Sequence, residues 1–150
     1  MADYREMIRA YIAREIEVLK ALDVDAIDQA LGLLEQAFEQ EKTIYIFGNG
    51  GSAATASHFQ NDFNKGISEY TAKKFRFYCL NDNIATLMAI ANDIGYESVF
   101  RFQLEGRLRP GDVIVAISGS GNSENVLQAV EYAKEQGNSV TGQSGFSGGK

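Results

Sequence analysis

Residues 112–123 read DVIVAISGSGNS, five apolar residues in succession followed by a run of Gly, Ser and Asn. An unbroken apolar run that ends in turn residues is the pattern of a strand covered on both faces, as the central strands of a parallel sheet are. The same text stands earlier as TIYIFGNGGS, residues 43–52. Around these two strands the chain alternates: a helix over 53–63, a strand over 75–80 (FRFYCL), a helix over 84–92, a helix over 124–136 and a strand over 139–141. Pro110-Gly111 supplies the turn into the second central strand. Such alternation predicts an α/β protein with a three-layer, flavodoxin-like parallel sheet in the strand order 2-1-3-4. Tyr45, Phe47, Phe75, Phe77 and Tyr78 fall on its strands and are assigned to the core.

Upstream, Ile8, Ile12, Ile16 and Leu19, then Ile27, Ala30, Leu34 and Phe38, recur at helical spacing. They predict a helical hairpin over residues 1–41, broken at 23–25, with Asp25 as the N-cap of the second helix. The hairpin lies outside the strand-crossover pattern, so its apolar stripe must be buried on something else, and a partner subunit is one candidate. Residues 42–150 make the α/β core of the same single domain. A strand at 139–141 calls for another helix and a fifth strand, yet GQSGFSGGK follows over 142–150; the chain is read as a shortened form with the C-terminal part of the sheet missing.

Composition narrows the function. At 150 residues and 45% hydrophobic content there is room for one core and little for a second. The balance of 14 basic against 20 acidic residues leaves a net charge of -6, which argues against a surface built for nucleic acid, so any phosphate binding is local. Asp3, Arg5, Glu6 and Arg9 interrupt the start of the chain, which therefore lacks the apolar stretch of a signal peptide, and no run approaches membrane-spanning length. Cys79 stands alone, which excludes an internal disulfide and fits a reducing compartment; the protein is read as cytoplasmic.

Both central strands run into a glycine-rich loop that opens a helix. Glycine permits positive φ and close backbone approach, and the helix start beyond offers free N–H groups at the positive end of a dipole. Ser118, Ser120 and Ser123 add hydroxyl donors without any Lys or Arg. In the order 2-1-3-4 the two loops flank one crevice at the carboxyl ends of the strands, where ligands bind in doubly wound sheets. Either loop alone is equally well a tight strand-to-helix turn with Ser as N-cap. Together they point to a small phosphate ester, with Asn49, Gly50, Gly51 and Ser52 on one side and Ser118, Gly119, Ser120, Asn122 and Ser123 on the other. Gly48-x-Gly50-x-x-Ala53 formally fits a dinucleotide fingerprint, but the acid expected about twenty residues on would be Glu69, which closes no apolar strand. Neither loop carries the Gly-Lys-Ser/Thr ending of a P-loop, and no nucleotide is expected.

The stretches Gly48-Asn49-Gly50-Gly51-Ser52, His58-Phe59, Ala91-Asn92-Asp93, Pro110-Gly111-Asp112-Val113 and Ser120-Gly121-Asn122-Ser123 resemble those of the SIS (sugar isomerase) domain family, and within it the phosphoheptose isomerases. The resemblance spans nearly the whole chain. It implies a homotetramer with active sites at subunit contacts, a substrate phosphate held by Ser118, Ser120 and Ser123, and a sugar lined by Asn49 and Ser52. It also implies aldose–ketose isomerisation of sedoheptulose 7-phosphate. Ser52-Ala53-Ala54, His58-Phe59 and Ala89-Ile90-Ala91-Asn92-Asp93 are similar too to proteins that associate with the replication initiator DnaA. The alternative function is thus a non-catalytic DnaA-binding regulator, or a sugar-phosphate sensor without chemistry.

Moving a carbonyl between two sugar carbons needs a base beside the α-proton and groups that stabilise an enediolate. His58, the sole histidine, and Asp62 lie one turn apart on the helix that opens at the first loop. The resemblance makes His58 a metal ligand, commonly for zinc, and Asp62 a metal ligand or base, although a Glu is usual there and Asp has a shorter reach. A zinc site needs about three protein ligands, and the sequence displays two; a helix-surface ion pair is the other reading of these residues. By the same resemblance Asn92 and Asp93 face the sugar hydroxyls; read from the residues alone they are a helix ending. Gly119 stands where the isomerases have a Thr that touches substrate, which removes one donor.

Overall fold

Ile44–Gly48 (β1) and Val113–Ser118 (β3) are buried at every position and pair in parallel, with Ile44 opposite Val113 and Gly48 opposite Ile117. Phe77–Cys79 (β2) and Ser139–Ser144 (β4) add the edges of a four-stranded, all-parallel sheet in the order β2-β1-β3-β4. The computed structural model describes residues 3–145 and 148–149. Its helices are Arg5–Lys20 (α1), Val24–Glu39 (α2), Gly51–Asn61 (α3), Ile84–Asp93 (α4), Arg101–Leu104 (α5) and Glu124–Glu135 (α6). Contacts divide the chain into two compact units, Met1–Leu31 and Gly32–Lys150.

In the larger unit the period-two alternation of strands sends successive side chains to opposite faces. Ile44, Ile46, Val113, Val115 and Ile117 meet Leu34 and Ala37 of α2 and Ala56 of α3. Tyr45, Phe47, Ile114 and Ala116 meet Ile90 of α4, Leu104 of α5 and the stripe Val126, Ala129 and Ala133 of α6. These are the three layers expected of the strand–helix alternation. At the amino ends of the strands Asp112 accepts hydrogen bonds from the Thr43 N–H at 3.0 Å and the Arg109 N–H at 2.9 Å, which ties β1 to the turn that delivers β3. Gly111 takes φ 87° in that turn, a value that suits glycine.

After Asn61 the α3 helix widens into a π-helical segment, Asp62–Ile67, and a 3-10 turn, Ser68–Tyr70. The widened segment covers the outer edge of β2. The Cys79 N–H donates to Gln60 Oε1 at 2.6 Å, the Phe77 N–H donates to Asn64 Oδ1 at 2.9 Å, and Asn64 Nδ2 donates to the Phe77 carbonyl at 2.8 Å. Gln60, Asn64 and Ser68, spaced by four, stand in for a missing strand. Phe63, Phe75 and Phe77 cluster beneath them, with Phe63 and Phe77 stacked at 4.5 Å.

Several boundaries differ from expectation. β2 spans Phe77–Cys79 only, because the Phe75 N–H is taken by the Ser68 hydroxyl at 2.9 Å instead of the sheet. Phe75 still packs against the core, whereas Tyr78, expected inside, is 41% exposed beneath the Arg107 guanidinium. β4 runs on through Ser144, since the β3 ladder continues to the pair Ser118–Ser144. The helix cap is Asp23 and not Asp25: Asp23 Oδ1 accepts from the Ala26 N–H at 3.0 Å, and Asp25 lies inside the first turn of α2. Within the smaller unit α1 buries no residue, and Ile8, Ile12 and Ile16 stay exposed along one stripe. Among the described residues no helix is long and apolar enough to cross a membrane.

Candidate functional site

The first loop is built on a glycine that admits no side chain. A Cβ at Gly48 would lie 2.6 Å from the Ile117 carbonyl oxygen and 2.6 Å from Ser52 Cβ, so β1 can turn beside β3 only with glycine there. Asn81, just past β2, grips the same residue from both sides: Gly48 N–H donates to Asn81 Oδ1 at 3.2 Å, and Asn81 Nδ2 donates to the Gly48 carbonyl at 2.9 Å. Gly50 then takes φ 54° as the residue before α3, which starts with no side-chain cap. Gly50 and Gly51 are exposed and Ser52 is half-buried, and the Ser52 N–H is already spent on the Asn49 carbonyl at 2.9 Å.

The second loop repeats the plan at the end of β3. Ser118 is 8% exposed, and its hydroxyl lies 3.2 Å from that of Ser123. Ser123 is the residue before α6, yet its hydroxyl does not cap the helix, whereas Asn83 caps α4 by accepting from the Thr86 N–H at 3.0 Å. Ser120 is exposed; its hydroxyl accepts from the Asn122 N–H at 3.2 Å, and its carbonyl accepts from Asn122 Nδ2 at 2.8 Å. Gly121, at φ 66°, closes the bend with its N–H on the Ser118 carbonyl at 3.0 Å. The far end of the chain touches this loop: the Gly145 N–H donates to the Gly119 carbonyl at 3.0 Å, and a Cβ at Gly121 would fall on the Gly148 carbonyl.

β1 and β3 are neighbours, and polar side chains tie the first loop to the helix that opens at the second. Asn49 Nδ2 donates to Asn125 Oδ1 at 2.8 Å, Asn125 Nδ2 donates to Asn49 Oδ1 at 2.9 Å, and the Tyr96 hydroxyl donates to the same Asn49 oxygen at 2.9 Å. A depression beside the first loop is lined by Asn49, Gly50, Asn81, Leu87, Tyr96 and Phe100, among others. Neither helix start carries a side-chain cap, and the hydroxyls of Ser118, Ser120 and Ser123 stand on a second loop that contains no Lys or Arg.

Sequence reasoning placed Asn49 to Ser52 beside Ser118 to Ser123; in the structure the two loops leave neighbouring strands, and the side-chain bonds described across the gap run from Asn49 to Asn125 of α6. His58 and Asp62 also meet, with Nε2 and Oδ2 3.5 Å apart on an exposed face. His58 is seven residues into α3 from Gly51, about 10 Å along the axis at the rise of an α-helix, and no described hydrogen bond joins it to either loop. As a zinc site the pair is short of ligands: among the described residues no group of three His, Cys, Asp or Glu comes together. Asn92 and Asp93 end α4 on its exposed side, bonded to each other at 2.7 Å, and it is Tyr96, three residues on, that reaches the first loop. Asn81, Tyr96 and Asn125 were missed. Asn125 left a trace, since it heads the buried stripe Asn125–Ala129–Ala133, where a polar side chain is out of place unless paired. Cys79, buried behind the site, has its thiol pushed up to about 11 chiefly by that burial.

Two glycine-rich loops at the carboxyl ends of adjacent parallel strands place the molecule in the doubly wound class of α/β domain. The family model described as "SIS domain" matches residues 5–145, and the chain belongs to that family. Among its relatives are phosphoheptose isomerases. The chain is 41% identical over 125 residues to that of Rhodospirillum rubrum, covering 83% of this chain and 66% of the relative. It is 39% identical over 144 residues to that of Helicobacter pylori, covering 95% and 74%. The solved phosphoheptose isomerase GmhA of Neisseria gonorrhoeae superposes with a TM-score of 0.85 at 36% identity, covering 97% of this chain and 77% of that one. The enzyme from Francisella tularensis superposes at 0.87 with 29% identity, covering 99% and 78%. The chain thus spans about two thirds to three quarters of the length of these relatives.

Proposed function

We propose that the protein is an aldose–ketose isomerase acting on sedoheptulose 7-phosphate through an enediol intermediate. The observation that carries this is the pairing of two uncapped helix starts, at Gly50 and Ser123, at the ends of β1 and β3, with the first loop tied to the first turn of α6. A phosphate dianion seated on Ser118, Ser120 and Ser123 gains their hydroxyl donors and the α6 dipole, and the sugar chain extends toward Ser52 and the free donor of Asn49. Isomerisation takes a proton from the carbon next to the carbonyl and returns one to its neighbour. Asp62, with His58 beside it, is assigned as the acid–base pair where the two hold no metal.

Zinc enters this proposal with His58 and Asp62 as two of the three or more ligands a protein site requires. Zinc content of protein purified without chelator tests that part; binding that survives His58→Ala removes His58 as a ligand. The exposed stripe of α1 supports self-association into a tetramer, the acidic composition argues against a nucleic-acid surface, and the lone Cys79 fits a reducing, cytoplasmic compartment.

The test is turnover of sedoheptulose 7-phosphate, run beside a DnaA pull-down. Ser120→Ala should weaken phosphate-ester binding by about 0.5–1.5 kcal/mol, the usual worth of one hydrogen bond. Capture of DnaA with no phosphosugar binding would replace the isomerase by a partner-binding protein, and tight sugar-phosphate binding without turnover would make it a sensor.

A further inference from the structure

Asn125 is 2% exposed, in the first turn of α6, and carries the most buried amide near the two loops. Its oxygen and its nitrogen are both spent on Asn49, 76 residues away, in a closed ring of two hydrogen bonds at 2.8 and 2.9 Å. An amide buried this deeply is tolerated only when paired, and a leucine of similar size would fill the same place without needing a partner. The ring has a geometric effect that packing alone lacks. It fixes the first loop against the helix that opens at the second, while Asn81 fixes the backbone of Gly48 and the Tyr96 hydroxyl occupies the remaining lone pair of Asn49. Asn49 is left with one N–H for anything outside the protein.

We propose that Asn125 is a positioning residue of the phosphosugar site: through its two-way amide pair with Asn49 it sets the spacing between the loop that holds the phosphate and the loop that holds the sugar, with Tyr96 as the third member. The inference rests on the proposed phosphosugar function. A ligand that spans both loops depends on their separation, since its contacts on both must be met at once. A ligand seated on one loop does not.

The test compares two probes by calorimetry on the full chain: sedoheptulose 7-phosphate, which spans the loops, and inorganic phosphate, which occupies the serine loop. In Asn125→Leu the sugar phosphate should bind at least about tenfold more weakly, while phosphate stays within about twofold. Tyr96→Phe removes one hydrogen bond from a side chain that is 59% exposed, so folding is retained, and sugar-phosphate affinity should fall by about threefold with phosphate unmoved. Equal losses for both probes, or no loss in either variant, would overturn the positioning role, and Tyr96→Phe decides the matter if Asn125→Leu does not fold. Wild-type protein that binds phosphate but not sedoheptulose 7-phosphate would instead overturn the proposed function, and this role with it.

Discussion

Gly48 shows how one missing side chain sets a whole site. The Ile117 carbonyl and Ser52 leave no space for a Cβ, so Gly48→Ala must push β1 away from β3 where the loops meet. We expect a loss of up to about 3 kcal/mol, the cost of overpacking a tight core, seen as a lower melting temperature together with weaker phosphosugar binding. Cys79 is a second residue with a measurable consequence. Burial raises its thiol from 9.0 to about 11, so between these values the unfolded chain releases a proton that the folded chain keeps. Stability present below pH 9 is therefore lost as the pH rises toward 11, and denaturation curves across that window should shift steadily downward. In Cys79→Ala the slope should flatten even though the variant starts less stable. The same residue scale marks the limit of what could be read in the sequence. Glycines and serines at strand ends announced the two loops, but Asn81 and Tyr96 reach the first loop from 33 and 47 residues away, and no local pattern encodes such a meeting.

At the scale of elements, β1 and β3 were legible because unbroken apolar runs fit a strand buried on both faces and little else. β2 and β4 were legible as strands, but their ends were not, since those are set by partners: Ser68 takes the Phe75 N–H, and the β3 ladder extends β4 into Gly142, Gln143 and Ser144, which carry no apolar period. The π-helical segment had no signal at all in DFNKGI. Its service to the edge of β2 is open to test. Asn64→Ala leaves the Phe77 N–H and carbonyl without their side-chain partner, and we expect a destabilisation of about 1–3 kcal/mol by urea unfolding. Light scattering on warming should rise earlier than in wild type, because an uncovered strand edge is a template for pairing with another chain.

For the molecule as a whole, the apolar stripe of α1 was foreseen from helical spacing, and Ile8, Ile12 and Ile16 along it are exposed. Replacing Ile12 by Glu should therefore leave the melting temperature of the larger unit nearly unchanged while lowering the solution mass measured by light scattering; an unchanged mass would detach α1 from the proposed tetramer. The parallel topology also has a consequence for how the protein is made. The Thr43 N–H waits for Asp112, 69 residues downstream, before the two central strands can be tied together. At a synthesis rate of about 5–20 residues per second, β1 leaves the ribosome roughly 3–14 seconds ahead of that partner. For that interval Ile44, Tyr45, Ile46 and Phe47 form a bare sticky segment on a nascent chain, which is where a chaperone such as a holdase would find its grip.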